Sequence, residues 1–144
     1  MQTFPHQYRV SAKADSINLV QLNSDGLPCV ESAPPAEFDG PGDQWSPETL
    51  LLAAVADCFV LSFRAVALAS KFDWLDLECN TEGTLDRVEK ITRFTRIVNT
   101  ATLVVPAGTS EERAARLLAK AEEICLISNS LNADVHLETD IKTG

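Results

Sequence analysis

The sequence predicts an α+β fold in which an antiparallel sheet packs on a long central helix and on a second, shorter helix. Three observations lead to this prediction. Residues 50–69 form a nearly unbroken apolar run that suits a buried helix. Segments of alternating apolar and polar residues lie on both sides of it, as half-buried strands require. A second helical pattern precedes the last strand, and helices gathered on one face of a sheet are typical of this class.

The first strands are predicted to form an antiparallel hairpin. Residues 8–30 read as strands that are interrupted by the turn signal Asn23-Ser24-Asp25-Gly26, between the apolar segments 17–22 and 27–30. Residues 31–45 are rich in proline and glycine. They predict a connecting loop of the kind that often borders an active site.

The long helix has a clear start. Ser46 is a good N-cap, Pro47 suits the first helical position, and Glu48 places a carboxylate where the helix dipole favours it. The pattern predicts a helix to about Lys71. Beyond the first turn Asp57 is the only charge over four turns, and apolar residues surround the axis, so the helix must be covered on nearly every side. One small sheet cannot cover it all, which predicts a partner subunit.

The same apolar run is also long enough to cross a bilayer, which takes about 20 residues. Asp57 and Arg64 lie inside it. Each would cost about 2.5–3.5 kcal/mol near the bilayer centre. We therefore interpret the run as the buried helix of a soluble protein and expect no membrane partner.

Two strands, a helix and a last strand follow the long helix. Residues 74–85 alternate with one wet face, and residues 91–105 predict a longer strand with apolar residues on both faces. Thr109 and Glu112 form a capping-box signature for a helix that reaches Ile124 or Cys125. Residues 135–141 alternate as a final half-buried strand. We expect residues 1–144 to form a single domain.

Composition narrows the possible partners and setting. The formal net charge of -9 and the absence of a basic cluster argue against nucleic acid. The N-terminus carries no secretory pattern and four cysteines need no disulfide framework, so a reducing cytoplasm is expected. No C-x-x-C occurs and His6 and His136 lie far from any cysteine pair, so we expect no metal site.

Two cysteines stand in contexts that point to thiol chemistry. Cys58 lies inside the long helix, and Cys125 lies at the end of the second helix. A thiol peroxidase needs such a pair, because one thiol attacks the peroxide and the other resolves the sulfenic acid. Cys29 and Cys79 lie in strand patterns and are interpreted as packing residues. Ser128 and Asn129 are interpreted as caps of the second helix.

Several motifs together resemble the OsmC/Ohr family of osmotically inducible and organic hydroperoxide resistance proteins, in its general OsmC-like branch. They are Pro34-Pro35-Ala36-Glu37-Phe38-Asp39-Gly40-Pro41-Gly42, Trp45-Ser46-Pro47-Glu48-Thr49-Leu50-Leu51, Ala56-Asp57-Cys58, Arg93-Phe94-Thr95-Arg96-Ile97 and Cys125-Leu126-Ile127-Ser128-Asn129-Ser130-Leu131. The resemblance implies an OsmC-like intertwined homodimer with active sites at the subunit interface, where sheets from both chains wrap the central helices. It also implies that Cys58 is the peroxidatic thiol, that Cys125 resolves it, and that organic hydroperoxides are the substrates. A dithiol reductant, of the lipoyl type in the Ohr members, restores the enzyme, and no cofactor is implied.

The thiolate of Cys58 needs a source of activation. Cys58 lies about three turns inside its helix, beyond the reach of the helix N-terminus, and Asp57 beside it would disfavour a thiolate if unpaired. In the Ohr proteins an early-strand arginine and a glutamate that matches Glu48 surround the reactive thiol. No arginine stands in the loop before Pro34. The candidate cations are Arg9, Lys13, Arg93 and Arg96. We favour Arg96, because an alternation that buries Phe94 and Val98 would point it to the same face.

Helix geometry predicts how Glu48 can take part. Glu48 and Cys58 are ten residues apart. That is about 15 Å along one helix at 1.5 Å per residue, too far for contact within a chain. We therefore predict that Glu48 serves the Cys58 thiol of the other subunit.

Two other functions fit the same sequence. One is a dimer whose interface cleft binds a small apolar ligand, with vestigial or sensory thiols. The other is a stress-related structural protein without turnover. The absence of an early arginine and the presence of Asp57 keep both open.

Overall fold

Two separate three-stranded sheets organise the chain. The computed structural model describes residues 1–144, and these divide into two units, Met1–Leu50 and Leu51–Gly144. The first unit carries the first sheet and the second unit carries the second sheet. The α+β class is confirmed, whereas the single domain over residues 1–144 stays a prediction.

The first sheet is an antiparallel meander. Its strands are β1 (Ser11–Lys13), β2 (Val20–Asn23) and β3 (Val30–Ser32), in the order β1-β2-β3. The turn between β2 and β3 is closed by the Leu27 N–H, which donates to the Ser24 carbonyl at 3.0 Å. The predicted hairpin is therefore confirmed.

The proline- and glycine-rich segment after β3 is ordered by its own backbone hydrogen bonds. It contains a short 3₁₀ turn at Ala36–Phe38, and the Gly40 N–H donates to the Pro35 carbonyl at 2.9 Å. A Cβ atom at Gly40 would lie only 1.6 Å from the carbonyl oxygen of Pro34. Only glycine can occupy this position without a change of backbone.

The long helix α1 (Pro47–Ala69) begins at a two-way cap. The Thr49 N–H donates to Ser46 Oγ at 3.2 Å, and the Ser46 N–H donates to Thr49 Oγ1 at 2.9 Å. This reciprocal pair satisfies N–H groups that have no partner inside the helix. Ser46 as the N-cap is thus confirmed. The helix ends two residues before Lys71, which has a φ of 50°.

The second sheet is mixed. Its strands are β4 (Asp76–Val88), β5 (Ile91–Val105) and β6 (Asp134–Thr143). β4 and β5 pair antiparallel, but β5 and β6 pair parallel, so the expected purely antiparallel sheet is wrong at its last strand. The physical reason is the connection: the helices α2 (Glu111–Ile124) and α3 (Leu126–Asn129) carry the chain back to the starting end of β5.

Helix α2 starts one residue later than the capping-box signature suggests. Ser110 is the N-cap, and its Oγ accepts the Arg113 N–H at 3.2 Å. The Thr109 hydroxyl instead donates to the Pro106 carbonyl at 2.7 Å, which closes the turn after β5. The predicted Thr109 cap is therefore wrong by one position.

One stripe of α1 enters the core of the second unit. Its buried residues are Val55, Phe59, Phe63 and Ala67, spaced four apart. Phe59, Phe63 and Ala67 pack in one cluster with residues of β5 and α2, namely Ala101, Leu103, Val105, Ala114, Leu118 and Ala121. α1 is long and apolar enough to span a membrane by length and composition alone, a test that the core helix of a soluble protein also passes.

The other faces of α1 are not covered within one chain. Leu61 is 49% exposed and Leu68 is 80% exposed. The expectation of a helix covered on nearly every side is therefore not met by a single copy. A helix that leaves large apolar side chains in water on this scale is typical of a subunit interface.

We predict that Gly40→Ala destabilises the protein more than Gly42→Ala does. A side chain at position 40 would collide with backbone, which costs about 3 kcal/mol or more. At Gly42, where φ is 80° and the nearest atom to a Cβ is 3.5 Å away, the cost is the left-handed conformation alone, about 1 kcal/mol. Denaturant unfolding measures the free energy of unfolding of both variants, and an equal decrease in the two would contradict the prediction.

Candidate active site

Cys58 lies on α1 immediately before the buried Phe59, so its sulfur is half-buried at the edge of the core stripe. Its Sγ lies 4.0 Å from the hydroxyl oxygen of Ser62, one turn further along the helix. Asp57 points its exposed side chain away from this stripe. The attacking thiol predicted from the sequence is thus held by the same packing that fixes the helix.

Cys125 lies at the corner between α2 and α3 and is fully buried. Its N–H donates to the Glu122 carbonyl at 3.3 Å, and its own carbonyl accepts the Asn129 N–H at 3.0 Å. The Asn129 side chain donates to the Glu123 carbonyl at 3.0 Å, so its predicted role at the end of the second helix is confirmed. Cys125 is therefore held in a backbone corner that is closed from both sides.

The structure brings the thiols of Cys58 and Cys125 together. Burial raises the pKa of the Cys125 thiol, the neighbouring hydroxyl and N–H of Ser128 oppose that rise, and the nearby Cys58 thiol adds to it. Ser128 Oγ is itself buried and has no hydrogen-bond partner, so the predicted capping role of the Ser128 side chain is wrong. Two adjacent free thiols, one half-exposed and one buried, are the arrangement from which a peroxide can produce an internal disulfide.

A third thiol lies close by. Cys79 projects from β4 and packs against the core cluster, as predicted for a packing residue. Burial raises its pKa, a hydrogen bond with Thr81 opposes the rise, and Glu122 and Cys125 add to it. Cys29 differs from the prediction, because it is exposed rather than packed.

Sequence reasoning missed a polar chain beneath Cys125. The Thr81 hydroxyl donates to Asn99 Oδ1 at 2.6 Å, and Asn99 Nδ2 donates to Glu122 Oε2 at 3.1 Å. Asn99 is fully buried in the middle of β5. The sequence does contain a signal for these contacts. Asn99 lies in the apolar half of the predicted strand, and a buried amide requires hydrogen-bond partners.

Glu48 and the candidate cations occupy different elements. Glu48 lies in the first turn of α1, and its Oε1 is buried without a hydrogen-bond partner. Arg9 donates to the Gln7 side chain at 3.2 Å, Lys13 ends β1, and Arg93 donates to the Phe94 carbonyl at 3.2 Å. No group of three or more His, Cys, Asp or Glu side chains is placed to hold a metal ion.

Arg96 does not share a face with Phe94, contrary to the prediction from alternation. A register shift between Thr84 and Leu85 inserts an extra residue into β5, so Phe94 and Ile97 face the core whereas Arg96 faces away and is exposed. α1 packs on the core face. Within Leu51–Gly144, therefore, Arg96 lies on the other side of the sheet from Cys58 of its own chain. A role for Arg96 stays a prediction that now requires the thiol of another subunit.

Comparison with known proteins identifies what this arrangement is similar to. The family model described as OsmC-like protein matches residues 40–140. An uncharacterized Bacillus subtilis protein, YmaD, is 30% identical over 115 residues, which span 76% of this chain and 77% of that protein.

Solved structures confirm that the arrangement of helices and strands is OsmC-like. An OsmC-like protein of unknown function from Vibrio cholerae superimposes with a TM-score of 0.85 at 19% identity, over 94% of this chain and all of that one. An organic hydroperoxide resistance protein OsmC from Legionella pneumophila gives a TM-score of 0.76 at 26% identity, over 97% of this chain and 99% of that one.

We predict that Cys58 reacts with iodoacetamide faster than Cys79 and Cys125 in the native protein at neutral pH. Burial raises the pKa of the latter two, so both remain protonated, and the thiolate is the reactive form. Peptide mapping by mass spectrometry after timed quenching gives the order of labelling, with the exposed Cys29 as the reference for free access. Labelling of Cys125 ahead of Cys58 would contradict this description of the site.

Proposed function

The chain belongs to the family of OsmC-like proteins, and we propose that it is a cysteine-based peroxidase that reduces organic hydroperoxides. The observation that supports this most is the proximity of the Cys58 and Cys125 thiols, which are far apart in sequence and are brought near each other by the core that α1 and α2 share. A structural role for either cysteine would not require the other. Solved proteins of the same fold include organic hydroperoxide resistance proteins.

The proposed cycle has three balanced steps. The Cys58 thiolate attacks the O–O bond of ROOH, one oxygen stays on sulfur as Cys58–SOH, and the leaving alkoxide takes a proton to become ROH. The Cys125 thiol then attacks the sulfenic sulfur, a Cys58–Cys125 disulfide forms, and water leaves. A dithiol reductant, for which a lipoyl-type compound is our candidate, exchanges with this disulfide and returns both thiols.

The half-exposed Cys58 suits the attacking role and the buried Cys125 the resolving role. A resolving thiol with a raised pKa is a poor nucleophile toward bulk peroxide, so it is protected from direct oxidation. It needs to react only with a sulfenic acid held beside it, where proximity replaces intrinsic reactivity.

We place the complete site at the interface of a homodimer. The exposed apolar side chains Leu61 and Leu68 on α1, with Leu126 beside Cys125, support a second copy that covers them. Glu48 supports it independently, because a buried carboxylate oxygen without a partner is costly and calls for a donor from outside the chain. In this arrangement Glu48 and one of the cations Arg9, Lys13, Arg93 or Arg96 serve the other subunit's Cys58.

A second candidate is a small-ligand-binding or stress protein with little turnover. It is favoured by one observation: within Leu51–Gly144 the side-chain contact found for Cys58, apart from Cys125, is the neutral Ser62 hydroxyl and not a cation. An unperturbed thiol is only a few per cent ionised at neutral pH. In either case we place the protein in the cytoplasm, where reducing conditions keep the thiols free.

The deciding experiment is turnover of cumene hydroperoxide with dihydrolipoamide as reductant. We expect wild type to consume the peroxide, Cys58→Ser to lose essentially all activity, and Cys125→Ser to react once and then stop. Mass spectrometry after one equivalent of peroxide should find a Cys58–Cys125 disulfide in the wild type. Cys29→Ser is the matched control and should behave as wild type, since Cys29 is exposed and lies outside the thiol pair. No peroxide consumption by wild type with any dithiol would favour the second candidate.

Mixed dimers test whether Glu48 acts across the interface. Glu48→Gln and Cys58→Ser should each be nearly inactive alone. A mixed dimer of the two should have about half of the wild-type rate, because one of its sites combines an intact Cys58 from the first chain with an intact Glu48 from the second. Since about half of the dimers in a random equimolar mixture are mixed, the mixture should recover about a quarter of the wild-type rate. Refolding from an equimolar mixture, followed by an activity assay, makes this measurement. Recovery would be absent if Glu48 served the thiol of its own chain or if the protein were a monomer.

A further inference from the structure

Buried polar side chains connect the middle of β5 to the helix turn that ends at Cys125. Asn99 receives a hydrogen bond from Thr81 on β4 and donates one to Glu122 on α2. Glu122 is in turn the residue whose backbone carbonyl accepts the N–H of Cys125. Glu122 therefore makes two contacts. Its carboxylate binds the sheet at Asn99, and its backbone carbonyl binds the N–H of Cys125.

This connection is unusual for its place in the fold. The inward face of β5 is apolar on both sides of Asn99, with Ile97 and Ala101 fully buried as its same-face neighbours. A buried amide at such a position is costly unless its hydrogen bonds are made, and an apolar residue of similar size would pack more simply. Asn99 uses both ends of its amide, the oxygen toward Thr81 and the nitrogen toward Glu122.

Apolar packing of the last turn of α2, through the buried Ala121, holds the corner at Cys125 near the sheet but does not fix it by a directional contact. α2 ends at Ile124, the chain leaves the helical conformation at Cys125, and the four-residue α3 begins at Leu126. Ile124 and Leu126, which flank the thiol, are both exposed in the chain. The Asn129 side chain ties α3 to α2 but not to the sheet. Asn99 and Glu122 make the polar tie between this corner and β5.

We propose that Asn99 and Glu122 are positioning residues that hold Cys125 against Cys58 and so set the rate of disulfide formation. The proposal rests on the two-thiol cycle proposed above. Neither residue touches the peroxide or takes part in its cleavage. Their effect is confined to the second step, in which the Cys125 S–H attacks Cys58–SOH, the S–S bond forms and water is released.

Slow resolution has a chemical signature of its own. A sulfenic acid that waits for Cys125 meets a second hydroperoxide, which transfers an oxygen to give Cys58–SO₂H and a second molecule of ROH. The fraction of sulfinic acid at Cys58 therefore reports how fast Cys125 arrives. Loss of general stability would not raise this fraction while leaving the first oxidation unchanged.

The test separates the two steps in wild type, Glu122→Ala, Glu122→Gln and Asn99→Leu. Rapid quenching with a sulfenic-acid trap measures the first oxidation, and mass spectrometry measures the disulfide and the sulfinic acid over time. Glu122→Gln keeps an oxygen that can accept from Asn99 Nδ2. Asn99→Leu has a similar volume and cannot donate to Glu122. Glu123→Ala is the matched control on the same helix, because its exposed side chain pairs with Lys120 and lies outside the network.

We expect disulfide formation to slow by about tenfold or more in Glu122→Ala and in Asn99→Leu, since small displacements of a reacting group have effects of this size. Sulfinic acid at Cys58 should rise in both, the first oxidation should stay at the wild-type rate, and Glu122→Gln and Glu123→Ala should match wild type. Because the first oxidation is measured on the same samples, it also shows that each variant is folded.

Wild-type rates of disulfide formation in both Glu122→Ala and Asn99→Leu would overturn the positioning role and leave the proposed peroxidase intact. A slow Glu122→Gln, with the acceptor oxygen still present, would also overturn it. Absence of any sulfenic acid or disulfide in the wild type would instead overturn the proposed function, and the positioning role with it.

Discussion

The packing of α1 and α2 against β5 is the interaction on which the rest of the second unit depends. Phe59 and Phe63 from α1 meet Leu103 from β5 and Leu118 from α2, all without solvent exposure. Burial of side chains of this size stabilises by about 1.5–3 kcal/mol each, an upper estimate because the unfolded chain is itself partly compact. Cys58 stands next to Phe59, and Cys125 follows the last turn of α2. The thiols meet because the core that carries their helices forms.

The sequence predicted much of this arrangement because local chemistry decides it. The start of α1 is an example, because Ser46 and Thr49 cap the helix whatever lies beyond them. Predictions were wrong where the local structure depends on contacts between residues that are distant in sequence. The bulge near Thr84 turned Arg96 away from the core face, and no local pattern marks a bulge of this kind.

The parallel pairing of β6 is different, because the sequence did contain the signal. A strand, a helix of 14 residues and a second strand form a unit that joins parallel neighbours. Alternation in residues 135–141 correctly indicated a strand with one wet face but says nothing about its direction. Neither local chemistry nor the order of elements predicts the hydrogen bonds of Asn99, because Thr81, Asn99 and Glu122 come from three elements that only the tertiary fold brings together.

The thiol pair and its activation are separable properties of this protein. The pair lies inside one chain, on helices fixed by a common core, so the proximity of the two thiols does not depend on a partner. Stabilisation of a Cys58 thiolate, in contrast, is not provided inside α1, which offers Cys58 a neutral hydroxyl and no helix N-terminus. The net charge of -9 adds no general positive field that could compensate. In the proposed homodimer, a cation from the second subunit would supply the activation that one chain does not offer to Cys58, and assembly itself would then control the reactivity of this thiol.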